Sequence, residues 1–262
     1  YVEQKPFLLS EHGIYTRERE EDIIRSNWVA GEFKEIWIDF FKKLSYIAYR
    51  QADYVTSLFE TNRSLQTELG CPKEKIQVIP NGVNAEEYDA CRTDKKSWED
   101  RIVVGAVLRV VPIKDVKTML LAFDIVKQAV PNAEFLIMAN CGENPEYYKE
   151  CTELLEELET KDVTFLGQVN VKEYLPDIDL LLLSSISEGQ PLAMLEGMAA
   201  EIPFVATNVG DCKDLLEGKE GDAFGPAGII VPVMNSEAMA DAAIRCLKDL
   251  PLRKRMGRAA RA

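Results

Sequence analysis

The chain has 262 residues, of which 47% are hydrophobic and 29% charged, with a formal net charge of −13 at pH 7. That length suits one or two domains with ample core, and the acidic balance excludes a general nucleic-acid or anionic-membrane surface, which needs an excess of Lys and Arg. No apolar run approaches the roughly 20 residues that span a bilayer, Tyr1 starts no signal peptide, and six scattered cysteines without a CxxC pair favour reduced thiols in a cytoplasmic protein over disulfides or zinc.

Taken in order, 6–10 reads as a short strand running into Glu11-His12-Gly13, and Thr16 is placed to N-cap the charged helix that follows. From 32 to 51 the apolar positions Phe33, Ile36, Trp37, Phe40, Phe41, Leu44, Ile47 and Ala48 recur at steps of three and four, the pattern of a long amphipathic helix that needs a partner surface. A strand over 54–58, a helix over 61–69 ended by Gly70, and a strand over 76–79 complete this part. Three short strands give that helical face little to pack on. Residues 1 to about 80 are therefore expected to be the tail of a larger α/β domain whose beginning is absent from this chain.

The polar stretch 91–100 reads as a connection. After it the pattern becomes regular, with strands over 102–108, 134–139, 163–166, 178–183, 204–207 and 227–231 and helices over 115–130, 145–159, 191–200, 214–216 and 236–247. Six strands with intervening helices predict a doubly wound parallel sheet of the Rossmann kind. The basic helical stretch Arg253 to Arg261 ends the chain, and a solvated helix end is the expectation for its charge.

Candidate chemistry gathers at two places in this second part. The strand over 178–183 leads through Ser184-Ser185-Ile186-Ser187-Glu188-Gly189-Gln190 to a helix opening at Pro191, whose preset φ and missing N–H suit the first helical position. A helix mouth at the carboxyl end of a parallel strand offers free N–H groups to an anion such as phosphate. Glu188 lies at that mouth, and Glu196 sits about 7.5 Å further along the axis. In isolation each glutamate reads as a solvated surface residue; the strand-loop-helix setting points instead to a long polar ligand held at two points. Arg109 and Lys114 follow the strand over 102–108, and in a doubly wound sheet that loop opens onto the same crevice. Two cations would then face the helix mouth. Gly105 is followed by no second or third glycine, so the dinucleotide fingerprint of a nicotinamide enzyme is missing. His12 is the single histidine, which rules out a His-based metal cluster. It sits in a Gly-containing loop after a strand, where α/β clefts collect functional residues.

The segment from Glu188 to Glu196, with Gly197 to Thr207 after it, resembles the E-x7-E segment of retaining family 4 glycosyltransferases. Ser187-Glu188-Gly189-Gln190-Pro191-Leu192 and Glu11-His12-Gly13-Ile14-Tyr15-Thr16-Arg17 resemble the PelF-type branch, named for Pel exopolysaccharide synthesis. The resemblance covers nearly the whole chain. It implies a GT-B type fold, with 1–90 as the C-terminal part of a truncated N-terminal, acceptor-side domain and 91–262 as a complete nucleotide-sugar-binding Rossmann-like domain. It also implies a cytoplasmic hexosyltransferase that moves a sugar from a nucleotide donor, UDP-glucose or similar, to a polysaccharide, with no metal or other cofactor. On that reading Glu188, Arg109, Lys114 and His12 are catalytic. Glu196, Gly189, Gln190, Pro191, Leu192, Gln168 and Val169 bind the donor, the last two by analogy at the nucleobase. A membrane-bound polysaccharide synthesis complex is the macromolecular partner it suggests. The alternative from another class is a non-catalytic nucleotide-binding module that depends on a missing domain.

Overall fold

Short apolar runs separated by amphipathic helices build two separate parallel sheets. In the computed structural model, residues 5–26, 29–92, 101–218 and 223–262 are described. The chain divides into two units, Tyr1–Asn81 and Gly82–Ala262.

In the first unit, strands β1 (Leu8–Ser10), β2 (Tyr54–Ser57) and β3 (Ile76–Val78) pair in that order, all parallel. Helices α1 (Tyr15–Arg25), α2 (Lys34–Gln51) and α3 (Glu60–Glu68) connect them. One expectation is corrected here and one holds. Thr16 does not cap α1: Ile14 holds the N-cap position without a side-chain bond, while Thr16 is buried and hydrogen-bonded to Ser45 of α2. The apolar stripe of α2 is largely uncovered, with Phe33 just ahead of it and Ile36, Trp37, Phe40, Leu44 and Ile47 along it all exposed. The buried residues of α2 are instead Ser45 and Tyr49.

The second unit opens at Gly82, and its first element is a 3-10 stretch, Ala85–Cys91, where the sequence reading assigned no element. The seam lies at 81/82 rather than 90/91, because Tyr88 and Cys91 are buried in the second unit's own core; residues 93–100 of the predicted connection lie outside the described ones. Strands β4 (Ile102–Arg109), β5 (Ala133–Asn140), β6 (Val163–Gly167), β7 (Leu180–Leu183), β8 (Phe204–Thr207) and β9 (Gly228–Val231) form one parallel sheet in the order β6-β5-β4-β7-β8-β9. Helices α4 (Val116–Ala129), α5 (Pro145–Leu158), α6 (Leu192–Ala199), α7 (Cys212–Glu217), α8 (Ser236–Lys248) and α9 (Leu250–Arg261) intervene or follow. Successive side chains of a strand point to opposite faces. Accordingly Ile102, Val104 and Ala106 of β4 join one apolar cluster with α4 and α8, and Val103 joins another with α6. Both faces are covered, as a parallel sheet requires. Asn144, Asn235 and Asp249 N-cap α5, α8 and α9 through side-chain oxygens that accept from backbone N–H groups at 2.9–3.0 Å. The basic end of α9 is not simply solvated. Arg253 is buried with a nitrogen 3.9 Å from the Asp179 carboxylate, and Arg261 donates to the carbonyls of Ala199 and Ala85.

Candidate functional site

Strand β4 lies between β5 and β7, so the chain leaves the carboxyl ends of β4 and β7 toward opposite halves of the sheet and opens a crevice between the two loops. The loops are fastened to each other. Ile186 N donates to the Ile113 carbonyl at 2.9 Å, and Ser184 Oγ lies 2.8 and 2.9 Å from the carbonyl oxygens of Lys114 and Asp115. A 3-10 turn, Pro112–Lys114, ends at Asp115 in the left-handed conformation with φ 46°, a backbone cost that tends to be tolerated at functional sites. The turn brings the Lys114 ammonium against Oε1 of Glu188. Ser185 Oγ donates to the same carboxylate oxygen at 2.6 Å. The sequence reading put Lys114 and Glu188 at one crevice, with Lys114 facing phosphate; their pairing with each other is seen only in the structure.

The helix mouth is held from below. Thr207 Oγ1 donates to the Ser185 carbonyl at 2.6 Å, Asp211 N donates to the Gly189 carbonyl at 2.9 Å, and buried Gln190 donates from Nε2 to Asp211 at 2.7 Å. Gln190 is thus a strut of the loop. Pro191 occupies the N-cap position rather than the first helical one, with ψ 121° and its carbonyl accepting from the N–H groups of Met194 and Leu195. Leu192, the first helical residue, exposes its side chain.

Arg109 departs from the expectation that both cations face the mouth. Its guanidinium pairs with Glu143, on the loop after β5, at 2.6 Å, with the two side chains 56% and 41% exposed. Lone Gly105 has a packing reason, since a Cβ there would meet Ile178 Cδ1 at 2.8 Å and Leu181 Cδ2 at 3.0 Å. Gln168 is exposed after β6, and Val169 packs at the edge of the core that holds α6.

Glu196 stands apart from the Lys114–Glu188 pair. Burial pushes its carboxyl above the usual carboxylate range, against the pull of Lys172 and of a hydrogen bond from the Tyr88 side chain. Both partners escaped the sequence reading, because a tyrosine in an acidic stretch and a lysine after Gln168-Val169-Asn170 carry no motif. Only the fold brings them to α6.

His12, on the first unit, is exposed at the end of β1 beside a cavity of about 480 Å³ lined by Glu11, Tyr15, Leu44 and Tyr49. The Glu11 carboxylate accepts from Tyr49 Oη at 2.7 Å and Gln66 Nε2 at 2.8 Å, which ties the His12 loop to α2 and α3. In the second unit a cavity of about 380 Å³ lies at the amino ends of β7 and β8, between Asp179, Pro203 and Arg253, and holds none of the predicted site residues. Open α/β sheets bind ligands at the carboxyl ends of their strands, so the crevice at Lys114 is the better candidate. Among the described residues, no group of three or more His, Cys, Asp or Glu side chains is arranged to hold a metal ion, and no helix is long and apolar enough to cross a membrane.

Residues 89–262 match the family model described as glycosyl transferases group 1, and residues 1–74 match a domain of unknown function, DUF3492. The chain is 31% identical over 221 residues to the N-acetyl-alpha-D-glucosaminyl L-malate synthase of Bacillus anthracis, covering 80% of this chain and 54% of that protein. It is 28% identical over 183 residues to the amylovoran biosynthesis glycosyltransferase AmsK of Erwinia amylovora, covering 65% and 44%. The chain thus spans about half the length of the curated relatives it matches. Among solved structures, Anabaena Alr3699/HepE in complex with UDP superposes with a TM-score of 0.79 at 18% identity, covering 99% of this chain and 67% of that one. The same protein has been solved with UDP-glucose. The fold is of the GT-B type.

Proposed function

The chain belongs to the glycosyl transferases group 1 family, and from that premise we propose that the protein is a retaining glycosyltransferase of the family 4, PelF-like branch. It moves a sugar from a UDP-sugar, UDP-glucose or a close relative, to a polysaccharide acceptor. The observation that carries the reading is the Lys114–Glu188 pair at the switch point of the six-stranded sheet.

A diphosphate entering the crevice is a stronger partner for Lys114 than one carboxylate. Lys114 turns to the phosphates and stabilises the charge that develops as the diphosphate departs. Glu188, released, accepts hydrogen bonds from the donor sugar. The N–H groups opening α6 beyond Gly189, Pro191 and Leu192 add a favourable field for the phosphates. Arg109 exchanges Glu143 for the diphosphate, and Lys114, Arg109 and the helix mouth together take the place of a metal. Glu196 accepts from ribose hydroxyls, and Gln168 and Val169 border the nucleobase. For His12 the assignment to the sugar rests on the resemblance of its loop alone.

The UDP complexes of the Anabaena protein support a uridine donor, and the name of the Erwinia relative supports a polysaccharide product. A membrane-bound synthesis complex is the partner that such a product requires, with the protein acting on its cytoplasmic side. Thermal shift and calorimetry with UDP, UDP-glucose, ADP-glucose and GDP-mannose test the donor, since a specific ligand stabilises by RT ln(1 + [L]/Kd). Selective stabilisation by the uridine nucleotides is expected. Indifference to both at millimolar concentration would defeat the reading.

A further inference from the structure

Two donors meet one oxygen of Glu188, and a diphosphate can draw away only one of them. Oε1 receives the Lys114 ammonium from the loop after β4 and, at 2.6 Å, the Ser185 hydroxyl from three residues earlier in its own loop. Among the described residues, Oε2 receives no hydrogen bond. An ionised carboxylate only accepts, so the single hydroxyl proton of Ser185 is directed at Glu188.

The backbone that carries this hydroxyl is held at both polar ends of one peptide group. The Ser185 carbonyl accepts from Thr207 Oγ1 at 2.6 Å, and the N–H of the same peptide, Ile186 N, donates to the Ile113 carbonyl at 2.9 Å. One grip comes from β8 and the other from the loop after β4. Ser185 and Thr207 are both buried. The two adjacent serines divide the work, since Ser184 Oγ turns to the carbonyls of Lys114 and Asp115 while Ser185 Oγ takes the side chain of Glu188.

The two donors on Oε1 respond differently to an anion. Charge-assisted bonds are roughly twice as strong as neutral ones, so the ammonium follows an incoming diphosphate and the hydroxyl stays. A carboxylate deprived of both would regain its rotamer freedom, and the sugar would have to order it anew. We propose that Ser185 is a positioning residue for the donor sugar: it keeps Oε1 of Glu188 fixed when Lys114 leaves for the diphosphate, and so presents Oε2 to the sugar hydroxyls in one orientation. This rests on the assignment of Glu188 to the donor sugar made above. It adds that recognition of the sugar depends on a neutral hydroxyl that touches neither sugar nor phosphate, held in place by Thr207 through the Ser185–Ile186 peptide.

The test titrates the 262-residue chain with UDP and with UDP-glucose by calorimetry and reads the ratio of the two affinities. With UDP the place of the sugar is open to water, which supplies Glu188 in wild type and variant alike, so UDP affinity should stay within about twofold. UDP-glucose displaces that water and needs the carboxylate already oriented. Ser185→Ala should therefore lower the affinity for UDP-glucose relative to UDP about fivefold, roughly the net contribution of one hydrogen bond. Ser185→Cys nearly keeps the side-chain volume, which guards against a folding defect, but replaces a hydroxyl with a weak donor, and it should behave as the alanine variant does. An unchanged ratio in Ser185→Ala, or a wild-type ratio in the cysteine variant alone, overturns the proposal. The sharpest measurement is Ser185→Ala made in a Glu188→Ala background. A residue that acts through Glu188 has nothing left to act on there, so the second substitution should leave the ratio within about twofold of the Glu188→Ala value. A further fivefold fall would mean that Ser185 meets the donor itself or supports the loop as a whole, and the proposal falls. If UDP binds and Glu188→Ala keeps the wild-type ratio, Glu188 is not on the sugar and the proposal falls while the uridine donor stands. If neither ligand binds wild type, the donor reading falls as well.

Discussion

The ammonium of Lys114 and the carboxylate of Glu188 meet across the gap between β4 and β7, with side chains only 18% and 12% exposed. A carboxylate in that position competes with any incoming phosphate for the same cation. Neutralising it in Glu188→Gln should tighten UDP binding by about 1 kcal/mol, roughly fivefold. UDP-glucose should gain less, because its sugar loses an ionised acceptor. Calorimetry with both ligands reads the two effects together. Equal weakening of UDP and UDP-glucose would place Glu188 on the phosphates or in the fold instead.

Arg109 and Lys114 come from one short stretch of sequence, yet their settings differ. The Arg109–Glu143 pair is more than a third exposed on both sides, and such pairs contribute about 0–1 kcal/mol. Lys114 is confined and has its donors aimed into the crevice. Lys114→Ala should cost UDP binding about 1.5–3 kcal/mol, the range for a bond to a charged group. Arg109→Ala should cost less, with a loss that shrinks as salt is added. Titrations of the two variants at low and high salt make the comparison. A larger loss in Arg109→Ala would mean that its side chain leaves Glu143 and becomes the main phosphate ligand.

The doubly wound sheet was legible because each of its six strands is a short apolar run bounded by turn residues. The alternation with helices made it parallel and doubly wound, while the order β6-β5-β4-β7-β8-β9 comes from the structure. That the loops carrying Lys114 and Glu188 open onto one crevice was legible too, since a doubly wound sheet places them there; that the two side chains pair was not. Tyr88 and Lys172 were not legible. Each stands in a 3-10 turn that leaves no periodic trace, and their convergence on Glu196 depends on how Ala85–Cys91 folds back over α6. Thr16 misled because an N-cap and a buried helix–helix hydroxyl contact draw on the same residue type. Arg253 and Arg261 misled because charge is read as exposure, whereas both reach partners that lie far off in sequence.

Tyr49 and Glu11 make a second long-range prediction, in the first unit. Tyr49 is 1% exposed, and burial together with the nearby Glu11 carboxylate pushes its phenol well above the ordinary range. Tyr49→Phe keeps the ring and leaves Glu11 with Gln66 Nε2 as a single remaining side-chain donor. The variant should lose about 1–3 kcal/mol, the cost of leaving a buried polar group short of a partner. Urea unfolding followed by a probe in the first unit measures it. A loss near zero would mean that water replaces the hydroxyl.

The uncovered stripe of α2 predicts behaviour in solution. Ile36, Trp37, Phe40, Leu44 and Ile47 are all exposed, and Trp37, Phe40 and Phe41 pack edge-to-face or tilted against one another with ring centroids 5.6–6.3 Å apart. Apolar patches of that kind drive association. The chain should bind a hydrophobic dye or self-associate as its concentration rises. Replacing Ile36 and Ile47 with lysine should relieve either effect with little change in melting temperature, since neither side chain is part of the core. A chain that is monomeric and dye-negative by light scattering and fluorescence would show the stripe to be covered in solution.

The loop carrying Glu188 leans on a single glycine. Gly210 has φ 52°, and a Cβ there would meet the Gly189 carbonyl oxygen at 2.1 Å and the Glu188 carbonyl oxygen at 2.5 Å. These are backbone atoms, so no side chain can swing away to make room. Gly225 also has a positive φ, 80°, but a Cβ there meets nothing within 4 Å. The two positions separate backbone strain from collision. Gly225→Ala should cost about 1–2 kcal/mol of stability, the ordinary penalty for a left-handed residue with a side chain, and leave UDP binding as it was. Gly210→Ala carries the same strain and in addition forces Gly189 and Glu188 outward. That movement stretches the bond from Asp211 N to the Gly189 carbonyl and draws Glu188 off Lys114. Its expected signature is a larger fall in melting temperature together with loss of the preference for UDP-glucose over UDP. Melting curves and the two titrations, run on both variants, check it. If Gly210→Ala behaved like Gly225→Ala, the loop would yield to the added methyl, and the geometry of Glu188 would be less firmly fixed than its hydrogen bonds imply.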